Sequence, residues 1–126
     1  MNSKNFHIKC DDKGATIVVA KIKDSNQIVG GYNPLDWNDQ NVYKSTSDSF
    51  ICYFTDYNDV KTGSIGRVIK GEEEHAICCY IYYGPCFGRN SDITSPNNGK
   101  WYTRCQTYLD INIPKDYGID DYEVFQ

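Results

Sequence analysis

No apolar run in this chain approaches the roughly 20 residues that a membrane-crossing helix needs, and its first residues lack the basic-then-apolar form of a secretory leader. Basic residues are few, 13 against 17 acidic ones, for a net charge of -4. They alternate with acids and hydroxyls, so the clustered cationic face that phosphate contacts need is missing, which argues against a nucleic-acid partner. The one pooled charge is Glu72-Glu73-Glu74. Phosphate loops of the G-x-G-x-x-G or Walker type are absent, and neither Ser47-Asp48-Ser49 nor Gly63-Ser64-Ile65-Gly66 forms a G-x-S-x-G nucleophile elbow. These absences leave a soluble, cytoplasmic domain spanning residues 1–126, with no membrane insertion, no cofactor and no catalytic constellation.

Six cysteines, at 10, 52, 78, 79, 86 and 105, are many for such a domain. None forms C-x-x-C, and neither a leader nor an N-x-S/T site accompanies them, so a zinc site and an extracellular disulfide framework both lack support. Reduced thiols packed in the core are expected. Cys78 and Cys79 are flanked by Ile, Ala and Tyr, and neighbours on a strand point to opposite faces, so those two do not bridge each other. Cys86, in an exposed turn near Arg89, and Cys10 are the candidate redox thiols. Asp36, Asn38, Asp39 and Asn41 lack the glycine and terminal glutamate of a calcium loop, so no metal is expected. Glu123 sits between Tyr122 and Val124 without a second catalytic group, and Asp110, Asp120 and Asp121 read as solvated surface.

Along the chain, residues 4–11 are expected to end a helix, with Phe6 and Cys10 on one face. Residues 15–23 alternate as a strand with Thr16, Val18, Ala20 and Ile22 inward, its first half covered on both sides. After a turn at 24–26, residues 27–32 return as its antiparallel partner. Gly30 and Gly31 mark a bulge or close approach there, and Asn33-Pro34 ends the strand. Residues 35–48 read as a loop anchored by Trp37 and Tyr43, 49–55 as a strand, 56–66 as turns and 67–69 as a small strand at most. The apolar run 76–83 reads as one central strand, 90–100 as a surface loop, 101–108 as a strand and 122–126 as a short closing strand.

Four stretches carry a family resemblance: FHIKCDDKGATIVV at 6–19, IVGGYNPLDW at 28–37 followed by TSDSFI at 46–51, the turn GPCFG at 84–88, and DYEVFQ at 121–126. In that order they resemble the TLDc domain family. The residues bearing the resemblance, with a binding or family-motif role, are Gly30, Gly31, Tyr32, Asn33, Pro34, Trp37, Ser47, Asp48, Gly84, Pro85, Phe87, Gly88, Glu123 and Phe125. The resemblance implies a mostly-β fold, a two-sheet antiparallel β-sandwich flanked by short helices, lacking a segment that relatives carry upstream and therefore less stable. It also implies a non-enzymatic protein-binding module that regulates the vacuolar proton-pumping ATPase and oxidative-stress resistance, binding vacuolar ATPase subunits peripherally at vacuole or lysosome membranes. Two alternatives stand beside it: an adaptor or substrate-recognition module of a larger protein, and a thiol-based peroxide scavenger using Cys86 or Cys10.

Overall fold

The computed structural model describes residues 2–89, 92–96 and 100–126. Helix α1 (Ser3–Cys10) opens where the Asn2 side chain accepts the Lys4 N–H at 2.8 Å. It buries Ser3, Phe6, His7 and Cys10, the spacing that places side chains on one helical face. Strand β1 (Thr16–Ile22) turns Thr16, Val18, Ala20 and Ile22 inward, as its alternation predicts. Its other face is not covered as expected: Ile17 remains 38% exposed and Val19 is half-buried. That side of the sheet faces solvent.

Eight further strands follow: β2 (Ile28–Asn33), β3 (Val42–Lys44), β4 (Phe50–Phe54), β5 (Gly63–Arg67), β6 (Ile77–Cys79), β7 (Tyr83–Phe87), β8 (Ile93–Pro96) and β9 (Lys100–Thr103). The last is β10 (Asp116–Phe125). Hydrogen bonding runs through all ten in the order β3-β6-β7-β8-β9-β10-β1-β2-β4-β5, every pair antiparallel. β10 belongs to both halves: residues 116–118 pair with β9, and the rest pairs with β1 from Ile119 onward. The halves then fold onto each other, with the Phe87 ring of β7 seated over Gly31 of β2 and edge-on to Trp37. This gives a mostly-β, two-layer arrangement whose core holds Phe6, Val18, Val29, Trp37, Ile51, Phe87, Trp101 and Tyr108.

Several segments depart from the sequence reading. The run 76–83 is not one strand, since β6 ends at Cys79 and β7 starts at Tyr83, with a turn closed by the Tyr83 N–H to the Tyr80 carbonyl at 3.0 Å. GPCFG is not a turn; four of its residues lie in β7, and the chain reverses only at Gly88, where φ is 94°. The expected loop 35–48 contains β3, and the turns expected at 56–66 include most of β5. Within the expected surface loop 90–100, residues 92–95 are buried and 93–96 form β8, while 90, 91 and 97–99 lie outside the described residues. The strand expected at 101–108 stops at Thr103, and the short closing strand is ten residues long. Among the described residues no helix is long and apolar enough to cross a membrane.

Candidate functional site

Most of the motif residues meet inside the molecule. A Cβ on Gly30 would lie 2.2 Å from the Val18 carbonyl oxygen, and one on Gly31 would lie 2.6 Å from Phe87 Cζ. The two glycines therefore bring β2 against β1 on one side and admit an aromatic ring on the other. Trp37 is fully buried, donates through Nε1 to Thr16 Oγ1 at 2.8 Å, and meets Phe6 and Phe87 edge-on. Asn33, also buried, accepts the Leu35 N–H at 2.9 Å, which turns the chain at Pro34 and ends β2. Tyr32 is half-buried, with its ring 5.3 Å from that of Phe50. Gly84, Pro85 and Phe87 are buried in β7. Gly88 follows with a positive φ, and a Cβ there would overlap Asp92 Oδ1. Ser47, Asp48, Glu123 and Phe125 lie on the surface, the last two on β10 opposite Val19 and Ile17.

Asp92 and Tyr108, which the sequence did not single out, fasten this interior. Asp92 Oδ2 accepts the backbone N–H groups of Gln106, Thr107 and Tyr108 at 2.9, 2.8 and 2.7 Å. Burial raises the Asp92 carboxyl above its ordinary value, and the N–H donors pull it back only in part. The Tyr108 hydroxyl donates to the Ala76 carbonyl at 2.6 Å and lies 2.7 Å from Ser49 Oγ. Ser49 in turn donates to the Tyr32 carbonyl at 2.6 Å.

A surface site forms where α1 meets the β6–β7 turn. His7 is buried with Nδ1 2.7 Å from Asp11 Oδ1 and Nε2 3.0 and 2.8 Å from the carbonyls of Tyr80 and Tyr83. The two carbonyls can only accept, so Nε2 donates to the turn while Nδ1 meets Asp11, and the ring latches the helix to the turn. Burial raises the Asp11 carboxyl, opposed by its bond to His7. On the other side of the turn, Asn41 Oδ1 accepts the Ile81 N–H at 2.9 Å. The latch holds apolar groups out in solvent: Ile8 is 67% exposed, Tyr82 65% and Ile81 38%. With Lys4, His7 and Asp39 they border an open groove of about 520 Å³.

The two candidate redox thiols are both inside. Cys10 is buried and its thiol is pushed up to about 11, by burial first and by Asp11 second. Cys86 is fully buried in β7, so the exposed turn expected for it does not exist. Burial also raises Cys52 to about 11 and Cys105 to about 12. Residues weighed as a calcium loop bond to backbone or neighbouring side chains instead: Asp36 Oδ1 accepts the Gly14 N–H at 2.6 Å, Asn38 Oδ1 the Gln40 N–H at 3.0 Å and Asn41 Oδ1 the Ile81 N–H. Among the described residues no three His, Cys, Asp or Glu side chains gather as a metal would require.

Compared with known proteins, the chain matches the family model of the TLDc domain over residues 1–126. No curated protein gives a significant match.

Proposed function

The chain belongs to the TLDc family, and from that premise we propose that it is a non-enzymatic protein-binding module of the oxidation-resistance kind, one that regulates the vacuolar proton-pumping ATPase. It would work in the cytoplasm and reach vacuole or lysosome membranes only through its partner. The observation that carries the reading is the apolar patch of Ile8, Ile81 and Tyr82 beside the groove. Exposed apolar and aromatic side chains grouped on a surface mark contact sites, and aromatic anchors supply much of the binding energy when they enter a partner's pocket. The His7 latch fixes two separate segments relative to each other, which lowers the ordering cost on association. The burial of Cys10 and Cys86 weighs against peroxide scavenging as the main activity.

The test is a titration of purified pump subassemblies, catalytic sector and peripheral stalk, with the native chain and with Ile8→Ser and Tyr82→Ser. Both positions are exposed, so stability should stay within about 0.5 kcal/mol. Affinity should fall about tenfold or more at each. A native chain with no affinity for either subassembly, or patch variants that bind as the native chain does, would sink the proposal.

A further inference from the structure

The β6–β7 hairpin places two cysteines where the linear sequence kept them apart. Ile77 stands opposite Phe87 in the antiparallel register, and the Gly88 N–H donates to the Ala76 carbonyl at 3.0 Å. One rung further toward the tip, the same register sets Cys78 opposite Cys86. Bonding alternates along an antiparallel ladder, so this rung is of the hydrogen-bonded kind, as 76 and 88 are. Its Cα atoms are then about 5.5 Å apart, inside the range of about 4.4–6.8 Å that a disulfide spans. Ile77, Cys79 and Phe87 belong to the core, which leaves Cys78 and Cys86 together on the opposite face. There the Cys78 thiol hydrogen-bonds to Cys86. Tyr43 of β3, which pairs with Cys78, reaches past them to donate its hydroxyl to the Arg89 carbonyl at 2.6 Å.

We propose that Cys78 and Cys86 are a cross-strand dithiol that a hydroperoxide closes into a disulfide, stapling the base of the hairpin whose tip is Tyr80, Ile81 and Tyr82. Cys78, the more exposed of the two, attacks the peroxide oxygen. With hydrogen peroxide the O–O bond breaks, Cys78 becomes a sulfenic acid, and one water leaves. The Cys86 sulfur then displaces the hydroxyl from Cys78, its proton leaves with that hydroxyl as the second water, and the S–S bond forms. Two thiols lose two electrons in total, and the peroxide gains them. The bond to Cys86 and burial both raise the Cys78 thiol above its ordinary value, which lowers its thiolate fraction and slows its attack on peroxide. That distinguishes a staple from a scavenger. The chemistry does not depend on which partner the exposed tip takes.

The native chain is exposed to excess hydrogen peroxide, remaining thiols are alkylated, and chymotryptic cleavage at tyrosines 80, 82 and 83 separates the two cysteines. A Cys78–Cys86 linked pair, lighter by two hydrogens and restored by reductant, is the expected product. Amide exchange across residues 79–83 should slow roughly tenfold in the oxidised chain, because the ladder is closed one rung higher. Cys78→Ser should abolish the link. Should that variant not fold, the linkage map of the native chain decides alone. Both thiols remaining open to alkylation, a Cys79–Cys86 link, or unchanged exchange in the linked form would overturn the proposal.

Discussion

Replacing the adjacent glycines by alanine should give two different results, although each substitution adds a single methyl group. At Gly31 the new carbon would stand 2.6–2.9 Å from three atoms of the Phe87 ring, so the ring must retreat about 1 Å to reach ordinary contact near 3.5–4.0 Å. Trp37 and Tyr108, both edge-on to that ring, oppose the retreat. Overpacking of this kind costs about 1–3 kcal/mol. At Gly30 the obstacle is the Val18 carbonyl oxygen at 2.2 Å, with Val19 Cα at 3.2 Å. Backbone cannot swing aside without opening the β1–β2 ladder, in which Val18 faces Gly31 and Val19 faces Gly30. Gly30→Ala should therefore exceed about 3 kcal/mol, a large share of a typical domain's 5–15 kcal/mol. Urea unfolding followed by the fluorescence of buried Trp37 and Trp101 reads both. Adding Phe87→Leu separates the mechanisms: it should recover about 1 kcal/mol in Gly31→Ala through direct coupling and nothing in Gly30→Ala. A Gly30→Ala chain as stable as the native one, or equal rescue of both variants, would refute the reasoning.

His7→Ala should cost about 1–3 kcal/mol, since the carbonyls of Tyr80 and Tyr83 lose their donor, and amide exchange in α1 should accelerate ahead of the rest; native-like exchange in α1 would contradict the latch. Tyr108→Phe should lose about 1–3 kcal/mol by equilibrium unfolding, because Ser49 Oγ and the Ala76 carbonyl are left short of a buried partner. Asp92 has its folded-state carboxyl raised above 3.8, so the folded chain binds its proton more tightly than the unfolded chain does. Stability from this group is fullest below 3.8 and falls as pH rises through the folded value. Comparing unfolding of Asp92→Asn and native chains across acidic pH should show that slope removed in the variant; parallel profiles would contradict it.

What the sequence disclosed followed from whether each element is specified locally. Thr16, Val18, Ala20 and Ile22 alternate into the core, so β1 is legible, and Phe6 with Cys10 marks the buried face of α1. The β6–β7 turn is hidden because Tyr80-Ile81-Tyr82 carries no glycine, proline or Asx residue. Its shape comes from His7 and Asn41, which are distant in sequence. Reading through that turn as one strand also concealed the opposition of Cys78 and Cys86. The early part of β10 is rich in aspartate and glycine, poor strand formers that two flanking ladders hold extended. The motif residues were legible as a group, but not that most of them face inward. A glycine pair reports a close approach without saying whether a backbone or a ring is doing the approaching.

The position of β10 also bears on how the chain is made. It follows every other strand in the sequence, yet it is the seam between the two halves, placing Phe125 opposite Ile17. On the ribosome, β1 and β9 must wait with open edges until β10 emerges, and neither layer can reach its finished width before then. Pairings this distant form slowly, and unfilled strand edges recruit other chains. The nascent chain should therefore depend most on chaperone protection in the interval before β10 has been made.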